Sequence, residues 1–157
     1  MDKDLKEFLS ALNVHHVRYM VVGGYAVGVH AQPRVTKDLD IFVEMSASNA
    51  TAIYAALTAF GAPLANIRVD DFLNPTSIVR IGVPPVAVDI LQHIDGVTFE
   101  DAWRSSAEYM VDEEIMTRYI SADDLITNKL ASGRLQDLAD ADAIRQARAA
   151  QNHNPDR

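Results

Sequence analysis

Between Tyr19 and Glu44 the chain reads YMVVGGYAVGVHAQPRVTKDLDIFVE, and no other run restricts the possible folds as tightly. The segment from Val17 to Val22, β-branched or aromatic in most positions, makes a strand, and Gly23-Gly24 stops it in a tight turn. Tyr25 to His30 supply one or two helical turns before Pro33 ends them, and Asp38-Leu39-Asp40 opens a second strand. Side chains two apart on a strand share a face, so Asp38 and Asp40 look one way while Leu39, Ile41 and Val43 look the other. Two like charges roughly 5 Å apart repel by about 1 kcal/mol in water and by several in a drier site. The pair therefore asks for a cation or a shared proton.

The remaining chain supplies the elements that would cover such a strand pair. Leu5, Phe8, Leu9 and Leu12 recur at helical spacing and predict a first helix ending near Asn13. Ser46 is a good N-cap for a helix whose apolar stripe runs through Ala50, Ile53, Tyr54, Leu57 and Phe60 to Gly61. The prolines and the Asp-Asp between Ala62 and Pro75 predict an irregular connection. Thr76 to Ile81 and Val86 to Gln92 read as two short strands joined by a turn at Gly82-Val83-Pro84-Pro85. A short helix is expected over Phe99 to Arg104, then a strand pair, Glu108 to Val111 and Ile115 to Ile120, around Asp112-Glu113. Ser121 with Asp124 three residues later resembles a capping box and opens a helix that Gly133 interrupts. A last helix follows from Leu135 to Ala150, its alternating charges reading as a solvated face, and residues 151–157 read as a polar, frayed tail. These elements predict an α/β fold in a single domain over residues 1–150.

Composition narrows the class of partner. The chain has 157 residues, 48% of them hydrophobic, enough for one domain with a real core. A net charge of −8 gives no electrostatic footprint for duplex nucleic acid, although a local basic groove is compatible with it. Cysteine is absent, so disulfides and thiolate metal sites are excluded, in keeping with a reducing compartment. The start, MDKDLKEFLS, lacks a continuous apolar core of the signal-peptide kind, and no apolar run approaches the roughly 18 residues that span a bilayer. A cytoplasmic protein with no membrane partner is expected. The histidines are scattered, without the spacing of a helical zinc site, and Trp103 reads as a core anchor.

Four features carry chemistry. Gly23-Gly24 either provides a positive-φ turn or lets a phosphate approach the backbone N–H groups at a helix start. Asp38 and Asp40 are either solvated at a strand end or offer a magnesium ion the hard oxygen ligands that it takes together with substrate phosphates. Asp89, alone in the apolar strand Val86-Ala87-Val88-Asp89-Ile90-Leu91, is costly to bury unpaired. It either bonds a neighbouring loop or serves as a third metal carboxylate and general base. Lys129 projects from the edge of its helix's apolar stripe towards the body of the domain, with Arg134 and Asp137 on much the same side. It either makes a salt bridge or reaches a ligand.

Strand, Gly-Gly turn, helix, Asp-x-Asp strand and a later strand with a single Asp together resemble the nucleotidyltransferase superfamily that includes DNA polymerase beta. More narrowly, GGYAVGVHAQPRVTKDLDIFV is similar to the small bacterial nucleotidyltransferases grouped with AbiE-type (AbiEii) toxins, with Arg34, Thr36, Asp38 and Asp40 at the positions of an Arg-x-Thr-x-Asp-x-Asp segment. The likeness continues in VDILQHIDGVTFEDAW and ISADDLITNKLASGRLQDLADADAI and covers most of residues 15–148. Many superfamily members carry Gly-Ser at the turn. Here Gly24 removes the hydroxyl, which shifts the grip on a triphosphate towards backbone N–H groups.

The resemblance implies a polymerase-beta-like nucleotidyltransferase fold, with a mixed, mostly antiparallel sheet flanked by helices, and transfer of a nucleoside monophosphate from an NTP, such as ATP, to an acceptor hydroxyl on tRNA, protein or a small molecule. Asp38, Asp40 and Asp89 would hold two Mg2+ ions, or Mn2+, with Asp89 assisting deprotonation of the acceptor. Gly23, Gly24, Arg34, Thr36, Lys129 and Arg134 would bind the nucleotide. It also implies a place in a toxin–antitoxin or phage-defence system, with a cognate antitoxin or a homodimer as partner. The other reading is a catalytically inactive nucleotide- or protein-binding module of a toxin–antitoxin pair.

Overall fold

Asp2 opens the first helix, α1 (Lys3–Val14), by accepting the N–H of Asp4 on its carboxylate. Leu5, Phe8, Leu9 and Leu12 form the buried stripe that the spacing predicts. The structure is a computed structural model that describes residues 1–83 and 86–153. After a turn in which His16 adopts a positive φ of 55°, β1 (Tyr19–Val22) is buried at every position. Helix α2 (Gly23–His30) follows without a gap. The expected Gly-Gly turn is therefore the first turn of the helix itself. Gly23 supplies its left-handed φ of 66°, a conformation costly for a residue with a Cβ. β2 (Asp38–Val43) keeps the expected alternation, with Leu39 and Ile41 fully buried and Asp38 and Asp40 partly open. Ser46 then caps α3 (Ala47–Phe60) by accepting the N–H of Asn49 at 3.2 Å, and Gly61 ends it in the left-handed conformation.

The irregular segment after α3 contains one 3-10 turn, Val69–Leu73, which drives Phe72 into the core. β3 (Ile78–Ile81) and β4 (Ala87–Leu91) pair antiparallel, and the turn expected between them lies partly outside the described residues, at Pro84 and Pro85. After α4 (Phe99–Ser105), β5 (Ala107–Val111) and β6 (Ile115–Tyr119) form the second expected hairpin. Its three-residue turn, 112–114, takes positive φ at Asp112 and Glu113, a conformation usually given to glycine or asparagine. The terminal ammonium of Met1 and the side chain of Lys6 both bond Asp112 there. α5 (Ala122–Ser132) is capped by Ser121 and closed by left-handed Gly133. The reciprocal half of the expected capping box is not formed: the carboxylate of Asp124 accepts the hydroxyl of Ser105 instead. α6 (Leu135–Asn152) runs two residues into the stretch expected to fray, and residues 154–157 of that tail lie outside the described residues.

The strands form one sheet in the order β3-β4-β2-β1-β6-β5. Pairs β1–β2, β3–β4 and β5–β6 are antiparallel, and β1–β6 and β2–β4 are parallel, so the sheet is mixed and mostly antiparallel, as expected. α1 and α3 pack on each other, with Phe8 edge-on to Phe60 at 5.5 Å, while α5 and α6 pack on each other and each touches α2. Trp103, expected as a core anchor, packs against the edge of the core, stacked on Phe99 at 5.5 Å. It is half-buried, with the guanidinium groups of Arg18 and Arg118 4.7 Å and 4.3 Å from its ring. Among the described residues no helix is long and apolar enough to cross a membrane.

This topology fixes the site. β4 lies beside β2 although 43 residues and a whole helix separate them, and the parallel register sets Asp40 opposite Asp89 and Asp38 opposite Ala87.

Candidate active site

Neighbouring strands run about 4.8 Å apart, so register partners present their side chains side by side on one face. Asp40 and Asp89 are such partners, and Asp38 lies two residues before Asp40 on the same face of β2. Three carboxylates gathered from two strands thus share a few ångströms. Burial pushes the Asp40 carboxyl from its ordinary 3.8 up to about 6, and the charges of Asp89 and Asp38 push the same way, with Lys129 and Arg80 opposing.

Gly23 is the wall behind Asp40. A Cβ built on Gly23 would stand 2.4 Å from Asp40 Oδ2, a distance that no real side chain tolerates. Glycine is needed here twice, for its φ and for this approach. At Gly24 a Cβ would stand 2.7 Å from Thr36 Oγ1 and 3.1 Å from Arg34 Nη2. Thr36 and Arg34 therefore fill the space that the missing serine side chain would take. α2 begins after Val22 with no side-chain cap, which leaves its first N–H groups available to an anion.

The carboxylates do have a cation, one that the sequence did not single out. Arg80 is the register partner of Asp89 across the β3–β4 pair. Its Nε and Nη2 each donate to one Asp89 oxygen at 2.9 Å, and Nη2 also reaches Asp38 Oδ2 at 3.1 Å. The only signal available from sequence was alternation: in Ile78-Val79-Arg80-Ile81, Arg80 falls on the face opposite to buried Val79 and Ile81.

Beside this acidic cluster lies a second network. Lys129 is buried, and its ammonium bonds Asp137 Oδ1 at 3.3 Å and Asp140 Oδ2 at 3.1 Å. Arg134 Nε donates to Asp137 Oδ2 at 2.9 Å, and Arg34 holds Asp140 by a two-pronged contact, Nε to Oδ1 and Nη2 to Oδ2, both 3.0 Å. Burial pushes both aspartates up, but the hydrogen bonds and charges of these cations outweigh it and leave each below its ordinary value. The expectation that α6 shows a solvated charged face fails here: Asp137 and Asp140 join Ala141 and Ile144 in its buried stripe. The stripe is helical in spacing but carries two acids because three cations meet them.

The candidate residues thus fall into two adjoining groups. Asp38, Asp40 and Asp89 stand together with Gly23, while Arg34, Lys129 and Arg134 stand on Asp137 and Asp140, with Thr36 packed over Gly24. A cleft of about 260 Å³ joins the two, lined by Gly23 and Asp40 on one side and Asn128, Lys129, Arg134 and Asp137 on the other. A larger hollow of about 700 Å³ lies at the far end of β2, around Phe42, Glu44 and Phe99. The smaller cleft is the one that the carboxylate cluster borders, with Asp40 of the three acids in its lining.

Does the acidic cluster suit a metal ion? As the side chains stand, and among the described residues, no three acidic or histidine groups are set to hold one, and Arg80 bonds both Asp38 and Asp89. Yet Asp38 Oδ1 is buried without a hydrogen-bond donor, an oxygen that lacks a positive partner. The donor set is entirely carboxylate oxygen, the kind that Mg2+ and Mn2+ prefer. With all three acids ionised, one guanidinium leaves two negative charges in excess. The residues present fit a hard divalent cation.

No family model matches the sequence, and no curated protein matches it at a significant level. Among solved structures, the solution structure of the antibiotic-resistance factor ANT(2'')-Ia is similar at a TM-score of 0.54, over 96% of this chain and 90% of that one, with 11% identity. That neighbour is a nucleotidyltransferase. The chain has a polymerase-beta-like nucleotidyltransferase fold. At 11% identity the likeness concerns the fold alone.

Proposed function

We propose that the protein is a metal-dependent nucleotidyltransferase that moves a nucleoside monophosphate from an NTP to an acceptor hydroxyl and releases pyrophosphate. The observation that carries this reading is the parallel β2–β4 register, which sets Asp89 beside Asp40 and within one guanidinium's reach of Asp38. Asp38, Asp40 and Asp89 would hold Mg2+ or Mn2+, and ions bound there would withdraw charge from the α-phosphate and lower the pKa of the acceptor hydroxyl.

The chain's own part is positioning. The uncapped start of α2, at Gly23 and Gly24, offers N–H groups to phosphate oxygens, and the Thr36 hydroxyl stands where a serine side chain at 24 would be. Arg134, with a largely exposed side chain, can add a phosphate contact without leaving Asp137. Lys129, which is buried, and Arg34, which is not, act from further back, as a positive platform that offsets the charge of a triphosphate in the cleft. Asp89, the acid nearest the sheet edge, accepts the acceptor's proton as its oxygen attacks the α-phosphorus and the bond to the leaving pyrophosphate breaks.

The acceptor classes are tRNA, protein and small molecules, the last in keeping with a fold neighbour that is an antibiotic-resistance factor. The resemblance to AbiE-type proteins supports a toxin acting in the cytoplasm. A cognate antitoxin or a second copy of the chain would then be the partner. To test the reading, the protein is incubated with α-labelled NTPs, Mg2+, and tRNA or cell lysate, alongside Asp38→Ala and Asp89→Ala. Label moves to an acceptor with the wild type and not with either variant; transfer that survives both substitutions refutes the assignment.

A further inference from the structure

Arg80 sits on the edge strand and makes a contact unusual for an edge residue. Its guanidinium crosses β4 to hold carboxylates on two different strands, both oxygens of Asp89 and one of Asp38. A bidentate guanidinium–carboxylate pair is among the stronger polar contacts available to a protein. Nothing on the other side confines it. The Arg80 side chain is 48% exposed, its Nη1 makes no hydrogen bond among the described residues, and water is at hand to solvate it if it leaves. Asp38 Oδ1, by contrast, is buried without a partner, so the guanidinium satisfies the cluster only in part.

A divalent ion seated between Asp38 and Asp89 would need the oxygens that Arg80 now uses, and two cations cannot share that space without strong repulsion. We propose that Arg80 is a resident counter-ion of the carboxylate cluster, mutually exclusive with a divalent metal: it holds the acids together in the metal-free protein and must be displaced for the metal to enter. This deepens the metal-site reading above and rests on it. The consequence is that the cluster binds a bare divalent ion weakly, even though its acids are gathered in advance.

The test is Mn2+ binding to the full chain without nucleotide, followed by the paramagnetic signal of free Mn2+, in the wild type, Arg80→Ala and Arg80→Lys. Removing the competitor should tighten Mn2+ binding about tenfold, the scale of breaking one charge-assisted contact at a half-exposed site. Arg80→Lys, which keeps the charge but loses the fork, should fall between. A second readout separates this role from simple bracing of β3. In EDTA, Arg80→Ala should melt below the wild type, and saturating Mn2+ should close the gap, because the ion replaces the lost cation. Mn2+ binding to Arg80→Ala that equals or falls below wild type overturns the proposal while leaving the metal site standing. If none of the three proteins binds Mn2+, the metal reading and this inference fall together.

Discussion

Asp40→Asn should make the metal-free protein more stable, and by an amount that depends on pH in one direction. Asp40 is squeezed between burial, two neighbouring acids and the backbone of Gly23, and its carboxyl is raised from 3.8 to about 6. A folded-state pKa above the unfolded one means that the protonated form is favoured on folding. Stability from this group is present in full below about pH 4 and is lost as pH rises through about pH 6. At about 1.4 kcal/mol per unit, ionised Asp40 then costs the folded state about 3 kcal/mol at pH 7.5. Asparagine keeps the shape and removes the charge. Urea unfolding in EDTA should therefore show Asp40→Asn more stable than wild type by about 2–3 kcal/mol at pH 7.5, shrinking to about 1 kcal/mol at pH 4.5. A gain of equal size at both pH values, or a loss at pH 7.5, would refute the electrostatic account of this cluster. A site that gathers like charges for a ligand is expected to be less stable without it than a neutralised variant.

Other perturbations test other parts of the arrangement. Gly23→Ala places a Cβ at a φ of 66° and 2.4 Å from the Asp40 carboxylate; it should destabilise the protein by about 1–3 kcal/mol in urea and, by pushing Asp40 aside, weaken Mn2+ binding. Asp140→Asn leaves Lys129 and Arg34 short of a buried counter-charge. It should cost about 2–3 kcal/mol at pH 7. Because Asp140 is held below its ordinary value, the stability it contributes is present above about pH 4 and lost as pH falls further, so this difference should narrow in acid. A double-mutant cycle between Arg34 and Asp140 should return a coupling of about 1–3 kcal/mol, and a value near zero would show that their two-pronged contact carries no energy.

The parts of this site that sequence made legible are those carried by local pattern. The Asp-x-Asp strand, the glycine pair and the N-caps at Ser46 and Ser121 depend on residues within a few positions of each other; the strand and the caps stand where expected, and the glycine pair opens α2 instead of forming a turn before it. Asp89 was legible as an anomaly, one carboxylate in an apolar strand, and only the parallel β2–β4 register reveals what it faces. That register depends on a crossover through α3, which no short-range pattern encodes. Arg80 was invisible for the same reason twice over: its meaning depends on Asp89, whose meaning depends on Asp40. Asp137 and Asp140 misled because acids at i and i+3 on a polar helix usually face water. The clue was that Ala141 and Ile144 extend the same stripe, so the acids had to be buried with cations brought from α5 and from the segment before β2.

The central claim is that Asp38, Asp40 and Asp89 form one cradle for a metal-bound triphosphate. The most direct test is calorimetry with an NTP whose α,β-bridging oxygen is replaced by methylene, so that it binds without reacting, titrated into the wild type and Asp89→Asn with Mg2+ or with EDTA. Binding to the wild type should require Mg2+, and Asp89→Asn should weaken it by an order of magnitude or more. Binding that proceeds equally in EDTA, or that Asp89→Asn leaves untouched, would contradict that claim.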